Sequence, residues 1–483
     1  MRKLILYLII PVLISSATSC KKFIDVNQPI NNPTSVPPST LLPNTTVGIA
    51  FANSNDLDRA TSVMMQHLAG TGSQALDYDV YKLDGYFDNQ WGLELYNGAI
   101  NNLIIIINKY GDANPTYGGI AKLELAYAYS MVTDLWGDVP YSQAGLGLKY
   151  LNPRFDKQQD IYQGSAADSI QGLFDLVKSG IADLDKTGTF KPGKDDMVYG
   201  GDLNKWKKMG NTLLLKFAMQ ISNANPTLAK STIDGVITGN KYIDTNAVDF
   251  EVPFLASVGN QNPLYTFNNV NRTTDQMLSA RLLTLSRSLN DTVRLAKYFT
   301  KPTGNFVAFE NGSTAVAPTL ANRSKYNTYL TGATGEAPIR LLTFAQVNFI
   351  LAESALILGT AGNPNTYYQA GIKANMSKIG MTTAEINQYF TDNPTVVTLA
   401  GTTEDKRKQI ITQKYISWIG NGIEAFNDYR RTGYPVLALA SNPAGQNPNV
   451  IPTRLTLPTG EIQRNPNAPN PGPHTDVKVW WAK

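Results

Sequence analysis

Four carboxylates, Asp77, Asp79, Asp84 and Asp88, crowd into one stretch, GTGSQALDYDVYKLDGYFDNQW (residues 70–91), beside Tyr78, Tyr81, Tyr86, Phe87 and Trp91. Two acids about 5 to 10 Å apart suffice for glycoside hydrolysis, one protonating the leaving oxygen and the other serving as base or nucleophile. Sequence does not fix their separation. A surface glycoside hydrolase is therefore one reading, set against solvated loop acids or an adventitious cation site. Other chemistries lack their residues. There are two histidines, His67 and His474, and one cysteine, Cys20. A zinc site wants three or four N, S or O ligands. A Ser-His-Asp triad would draw on the same two histidines, and no G-x-S-x-G turn holds a serine for it. No D-x-[DN]-x-[DN]-G run forms an EF-hand loop. GTFKPGKD (residues 188–195) has the Gly-x4-Gly-Lys spacing of a phosphate loop. Asp195, however, stands where Ser or Thr would bind magnesium, Asp196 adds a second negative charge, and a helix rather than a strand precedes. It reads as a surface turn. No catalytic residue, metal or cofactor is assigned.

Binding asks for less. Sugar rings offer C–H faces that pack on Tyr and Trp, while Asn, Asp and Arg hydrogen-bond the hydroxyls. Each aromatic contact contributes about 0.5–1.5 kcal/mol beyond area burial. On that ground Tyr78, Tyr81, Tyr86 and Trp91 are ligand-binding candidates, and so are Tyr265 and Arg272 of NPLYTFNNVNR (residues 262–272). Tyr127 and Tyr129 fall at helical spacing and belong in a core.

The elements that must carry these loops are helical. A helix is expected from near Leu41 through ATSVMMQHLAG. Leu95, Ala99, Leu103, Ile106 and Ile107 then recur at helical intervals, as do Ile120, Leu123, Ala126, Tyr127 and Met131, with the short GDANPTYGG between the two runs. A short-loop hairpin of this kind looks like a tetratricopeptide unit. Related pairs return at DSIQGLFDLVKSGIADLDK with NKWKKMGNTLLLKFAMQIS, and at LTFAQVNFILAESALILGTAG with TYYQAGIKANMSKIG. One last helix is expected over residues 403–431. Each pair has an apolar face too wide to stand alone, so the pairs should stack. Insertions at 239–276 and 300–340 interrupt them. The expected fold is mostly α, a helical-hairpin scaffold with long loop insertions and a few short strands in the insertions and the tail.

The chain starts with a basic Met1-Arg2-Lys3, an apolar Leu4–Ile14 and the small residues SSATS, the order of a secretory signal peptide. The apolar run is shorter than the roughly 20 residues of a spanning helix, and Pro11 interrupts it. Ala17, Thr18 and Ser19 before Cys20 resemble a bacterial lipobox, whose cysteine is lipidated and becomes the new N-terminus. Two acyl chains give stable membrane attachment where one is marginal. The expected organisation is a lipoprotein signal peptide at 1–19, a lipidated N-terminus and extended Pro/Asn/Ser leader at 20–40, and a single domain at 41–483. The net charge of +4 falls to +2 without Arg2 and Lys3, which gives no electrostatic case for nucleic acid or for an anionic membrane surface.

SCKKFIDVNQPINNP, YNGAINN, MVTDLWGDVPYSQA (residues 131–144), ILAESAL, EAFNDYRRTGYP (424–435), IPTRLTLPTGEIQRNP and DVKVWWAK occur in order along nearly the whole chain. Together they resemble the SusD/RagB family of nutrient-binding outer-membrane lipoproteins. The resemblance implies a tetratricopeptide-like scaffold, lipid-anchored through Cys20 to the outer membrane and facing the cell exterior. It further implies non-catalytic capture of an oligosaccharide, or alternatively a peptide, for delivery to a SusC-like TonB-dependent barrel. These motifs belong to the scaffold: Gly137 and Pro140 would turn the chain after a helix, and Arg430 and Arg431 would sit at a helix C-terminus.

Overall fold

The computed structural model describes residues 36–483. The expected signal peptide, Cys20 and nearly all of the leader lie outside them. Helix begins slightly before the expected Leu41. Pro38, whose ring presets φ for a first helical turn, opens α1 (Pro38–Ala52). A π-helical turn at Asn53–Leu57, broken at Asn55 (φ −90°, ψ −124°), leads into α2 (Asp58–Met64). The helix expected to run through Gly70 ends at Met64, and Leu68–Gly70 instead form the strand β1, followed by the short helix α3 (Ser73–Asp79). Gln90–Tyr110 is one helical run alternating between π and α geometry, and it packs on α1.

The hairpins follow as expected. Helix α4 (Pro115–Trp136) packs on α5 (Leu173–Asp183), α5 on α6 (Leu203–Gln220), and α6 on α7 (Pro226–Gly239). Further on, α8 (Phe344–Ile357) pairs with α9 (Pro364–Lys378). Side-chain oxygens cap the helix starts: Asp202, Asn225 and Asn363 each accept from backbone N–H groups of the first turn, which satisfies donors that lack an intrahelical partner. Gly119 and Gly180 let α4 and α5 touch backbone to backbone. A Cβ on Gly119 would lie 2.7 Å from the Gly180 carbonyl oxygen.

The single last helix is in fact two, α10 (Thr403–Ser417) and α11 (Gly422–Thr432). Trp418–Asn421 turn the chain between them. Gly420 there has φ +93°, and a Cβ would meet Leu330 at 2.5 Å. Periodicity continues through this turn because its apolar residues, Trp418 and Ile419, are buried as helical ones would be.

Strands are short and paired antiparallel: β1 with β5 (Gln276–Leu278), β2 (Val139–Pro140) with β3 (Phe155–Asp156), and β4 (Phe250–Val252) with β6 (Ile339–Leu342). None of the described strands lies in the tail, where some were expected. The tail instead wraps the scaffold through hydrogen bonds. Trp136 Nε1 donates to the Thr456 carbonyl, Leu455 N to the Leu135 carbonyl, and Trp481 Nε1 to Asp134 at 2.9 Å.

Helix α11 is the centre of the fold, and it is charged. Arg431 holds the fully buried Glu353 of α8 by two bonds of 2.6 and 2.7 Å, and Arg407 Nε adds a third at 3.0 Å. Asp428 pairs with Arg431 and with Lys414 of α10, while Glu424 pairs with Lys216 of α6 at 2.5 Å. Asn427 donates to Asp134 of α4, and Arg430 to the Asp134 carbonyl. Arg430 and Arg431 thus do more than face a helix end. Burial alone would raise Glu353, but Arg431, Arg407 and Lys414 outweigh it and hold the carboxyl at about 2. Glu124 lacks such cations: burial pushes it up to about 8, with the Thr45 and Thr46 hydroxyls donating to it.

A carboxyl held below its unfolded value contributes stability above that value and loses it as pH falls through the folded one. The stability that Glu353 supplies should therefore be complete above pH 4.5 and disappear toward pH 2. Glu353→Ala should cost about 3–5 kcal/mol at pH 7 in urea unfolding, because it strands buried guanidinium charge. Glu353→Gln should flatten the acid limb of a stability–pH curve. An unchanged acid limb would show that the network does not carry it.

Candidate functional site

The two aromatic segments singled out in the sequence come together around the break at Asn55. Asp56 accepts from Tyr78 Oη at 3.3 Å and from Gln90 Nε2 at 3.1 Å, and it forms an ion pair with Arg59. Asn55 receives a bond from Arg59 and gives one to Glu94 at 2.9 Å. The Arg59 guanidinium lies over the ring of Phe267, 3.5 Å from its centroid. Phe267 belongs to Thr266–Asn271, a π-helical turn that follows Pro263–Tyr265. Burial pushes Glu94 up to about 7, and its Oε2 is buried without a hydrogen-bond partner.

A rim of loops continues from this cluster. Thr71 N donates to the Asp275 carbonyl and Thr71 Oγ1 to the Thr274 carbonyl, extending the β1–β5 ladder beyond its end. Arg323 closes the rim, donating to Thr71 Oγ1 at 2.8 Å, to the Pro318 carbonyl at 2.7 Å and to the Thr274 carbonyl. Leu76, Leu93 and Val270 are exposed on these same segments, as is Arg272. Ser73 on the rim has φ +46°, in the left-handed region that an L-residue occupies at a cost.

The candidate side chains divide. Tyr78, Tyr81 and Trp91 were expected to stand exposed in loops, and this is corrected: they are 0%, 2% and 5% exposed. Tyr78 stacks on Phe87, Trp91 meets Trp136 edge-on at 5.2 Å, and the Tyr81 hydroxyl accepts from Ala440 N. Their rings serve the core because α3 and the turns after it fold inward. Tyr86 and Tyr265 are half-buried, with Tyr86 Oη donating to Asp77 at 2.7 Å. Sequence reasoning missed Asn55, Asp56, Arg59, Gln90, Glu94 and Arg323. The i,i+3 pair Asp56/Arg59 and the i,i+4 pair Gln90/Glu94 flanking Trp91 were the available signals. Phe267 lay inside a quoted segment without being chosen.

The four loop acids share no partner: Asp77 goes to Tyr86, Asp84 to Gln446, Asp88 to Gly460 N, and Asp79 to Asn311 and Gly312 N at 2.6 and 2.7 Å. Asp79 is buried and pushed up to about 7 by desolvation. In the Gly188–Asp196 turn, Asp195 accepts from Gly193 N, while Asp196 accepts from Val198 N, Tyr199 N and Gly201 N. Carboxylates therefore take the backbone donors that a phosphate would need. His67 is buried against the Tyr415 carbonyl and burial lowers it to about 3, while His474 pairs with Asp476. Among the described residues no group of three or more His, Cys, Asp or Glu is placed to hold a metal ion.

Larger hollows lie on the scaffold. Two, of about 270 and 470 Å³, share Ile107, Asn108 and Lys122, and a third of about 440 Å³ sits between Arg281–Glu310 and residues 435–438. None takes a lining residue from the aromatic candidates.

A family profile described as starch-binding and associating with the outer membrane matches residues 30–458. The chain belongs to the SusD-like family. Solved SusD-like structures agree in fold. One described as a chitin-binding protein shares 25% identity and a TM-score of 0.78, over 92% of this chain and all of its own. A chitin-binding SusD homologue from Flavobacterium johnsoniae shares 22% and 0.75, over 92% and 97%. A SusD homologue from Bacteroides fragilis shares 21% and 0.76, over 92% and 100%. No curated protein matches the sequence. In this SusD-like chain the family-resembling motifs within residues 36–483 build the scaffold, and the rim lies between them.

Arg323 joins three separate segments of that rim. Arg323→Ala should speed hydrogen exchange at residues 71–74, 272–276 and 318–324 by about tenfold or more, while global stability stays within about 1 kcal/mol. Exchange that is unchanged in all three segments would rule out Arg323 as the clasp.

Proposed function

We propose that this protein captures an oligosaccharide at the cell surface without cleaving it, and hands it to a SusC-like TonB-dependent outer-membrane barrel. The observation that carries the reading is the family match over residues 30–458, joined by the 25% identity to a chitin-binding protein along the full length of that chain. The rim supports it chemically. The half-buried Phe267 ring and Asn55 amide form its accessible edge, and the buried Arg59 and Gln90 hold them from behind. Tyr86, Tyr265 and Arg272 remain candidates on its accessible side.

The anchor in this proposal is a lipid on Cys20, behind a signal peptide at residues 1–19 and a leader to residue 40. Among the described residues no helix is long and apolar enough to cross a membrane. A lipid would thus hold a helical body at the outer membrane, facing outward.

The test exposes purified protein to chitin- and starch-derived oligosaccharides and to peptides, with product analysis. Binding of a glycan without release of product is expected, and Asp79→Asn and Asp84→Asn should leave turnover at zero. Cleavage would replace the proposal with a surface glycoside hydrolase, and binding of peptides alone would replace the ligand class. Mild detergent extraction should co-purify the barrel. Cys20→Ser should move the protein from the membrane fraction to the soluble one.

A further inference from the structure

Directly behind the turn that carries Tyr265 is a narrow, partly open cavity of about 30 Å³, whose walls include Leu264, Asn246, Asp249, Arg340, Trp418 and Asn421. Three uncharged wall side chains hold a buried polar atom with no hydrogen-bond partner, Asn246 Oδ1, Asn421 Oδ1 and Trp418 Nε1, while Asp249 Oδ2 and Arg340 Nε on the same walls have ion-pair contacts only. Trp418 is 2% exposed and Asn421 3%. The amide orientations are settled by their other ends. Asn246 Nδ2 donates to the Ala374 carbonyl at 2.9 Å, and Asn421 Nδ2 to the Arg340 carbonyl at 3.2 Å. Turning either amide round would set two oxygens against each other. Buried polar groups in folded proteins almost always find a partner, in protein or in ordered water. Two neutral acceptors and one neutral donor around one narrow space, with Asp249 and Arg340 beside them, call for a ligand that both gives and takes hydrogen bonds.

Size and charge narrow its class. A water needs roughly 10–15 Å³ of such space, so the cavity has room for about two. Ligand pockets for organic molecules run to hundreds of Å³. The charges nearby already balance: Lys378 pairs with Asp249 at 3.1 Å and with Glu251 at 2.9 Å, and Arg340 approaches Glu251 at 3.5 Å. No net charge is left to attract an ion.

We propose that this cavity is an internal hydration site for two water molecules, which accept from Trp418 Nε1 and donate to Asn246 Oδ1 and Asn421 Oδ1. The pair joins the α10–α11 turn to residues 246–249 and to β6, and it backs the segment bearing Tyr265 and Phe267. Its role is to hold that segment in register together with the direct bonds of Asn421 to the Arg340 carbonyl and of Asn262 to the Leu330 and Ala337 carbonyls.

Two measurements test it. Crystals of the protein diffracting to high resolution should show two peaks about 2.7–3.2 Å from the three named atoms. Trp418→3-benzothienylalanine exchanges the N–H for sulfur at nearly constant shape, and it should lower Tm by about 2 °C because a water loses its donor. An empty cavity, or a Tm that rises on removal of an orphaned N–H, overturns the proposal. So does a peak with anomalous signal after a rubidium soak, which would make the occupant an ion.

Discussion

Everything in this fold is organised around a short helix whose buried face is ionic. Helix α11 brings Glu424, Asp428 and Arg431 into the middle of the protein, and each finds its counter-charge on a different neighbour: Lys216 on α6, Lys414 on α10, Glu353 on α8. Buried ion pairs give little net stability compared with well-packed apolar side chains, because desolvation offsets most of the attraction. What they impose is geometry. Each pair is satisfied only when its helix sits at one height and one rotation, so stacks that could slide on apolar faces alone are fixed in register. The charged run FNDYRR, unusual for a core helix, follows from that requirement.

The helical pairs were legible because apolar residues at 3.6-residue spacing mark a buried face whatever that face meets. The limits of the helices were less so. The break at Trp418–Asn421 hides behind apolar residues that continue the pattern, and the π turns at Asn53–Leu57 and Gln90–Ile100 change which residues point inward without changing composition. The candidate rim was half legible. Its two segments were found through their aromatics, but sequence cannot say which face of a ring is covered. Tyr78 and Trp91 are surrounded by Phe87, Tyr96 and Trp136, so the aromatic density that suggested a binding platform instead packs the floor beneath one. The polar residues that meet there come from the α1–α2 junction (Asn55, Asp56, Arg59) and from the start of the next helical run (Gln90, Glu94), where charge spacing was the only signal.

A division of labour follows. Among the described residues, the motifs that mark the family lie in helices, in the turn after α4 and in the tail, where ion pairs and backbone bonds leave little freedom. The rim is made of loops joined by a few side-chain clasps, Arg323 and Asp79 chief among them. Substitution there changes a surface without disturbing the charged centre, which allows one scaffold to present different surfaces.

The bonds that complete the core also span almost the whole chain. Asp58 accepts from Gly422 N, the Met65 carbonyl from Tyr415, and Asp134 from Trp481. The early helices therefore have no native partner for these groups until residues some 350 positions later have been made. Contacts so far apart in sequence form slowly, so the docking of α11 and of the tail is expected to come late in folding.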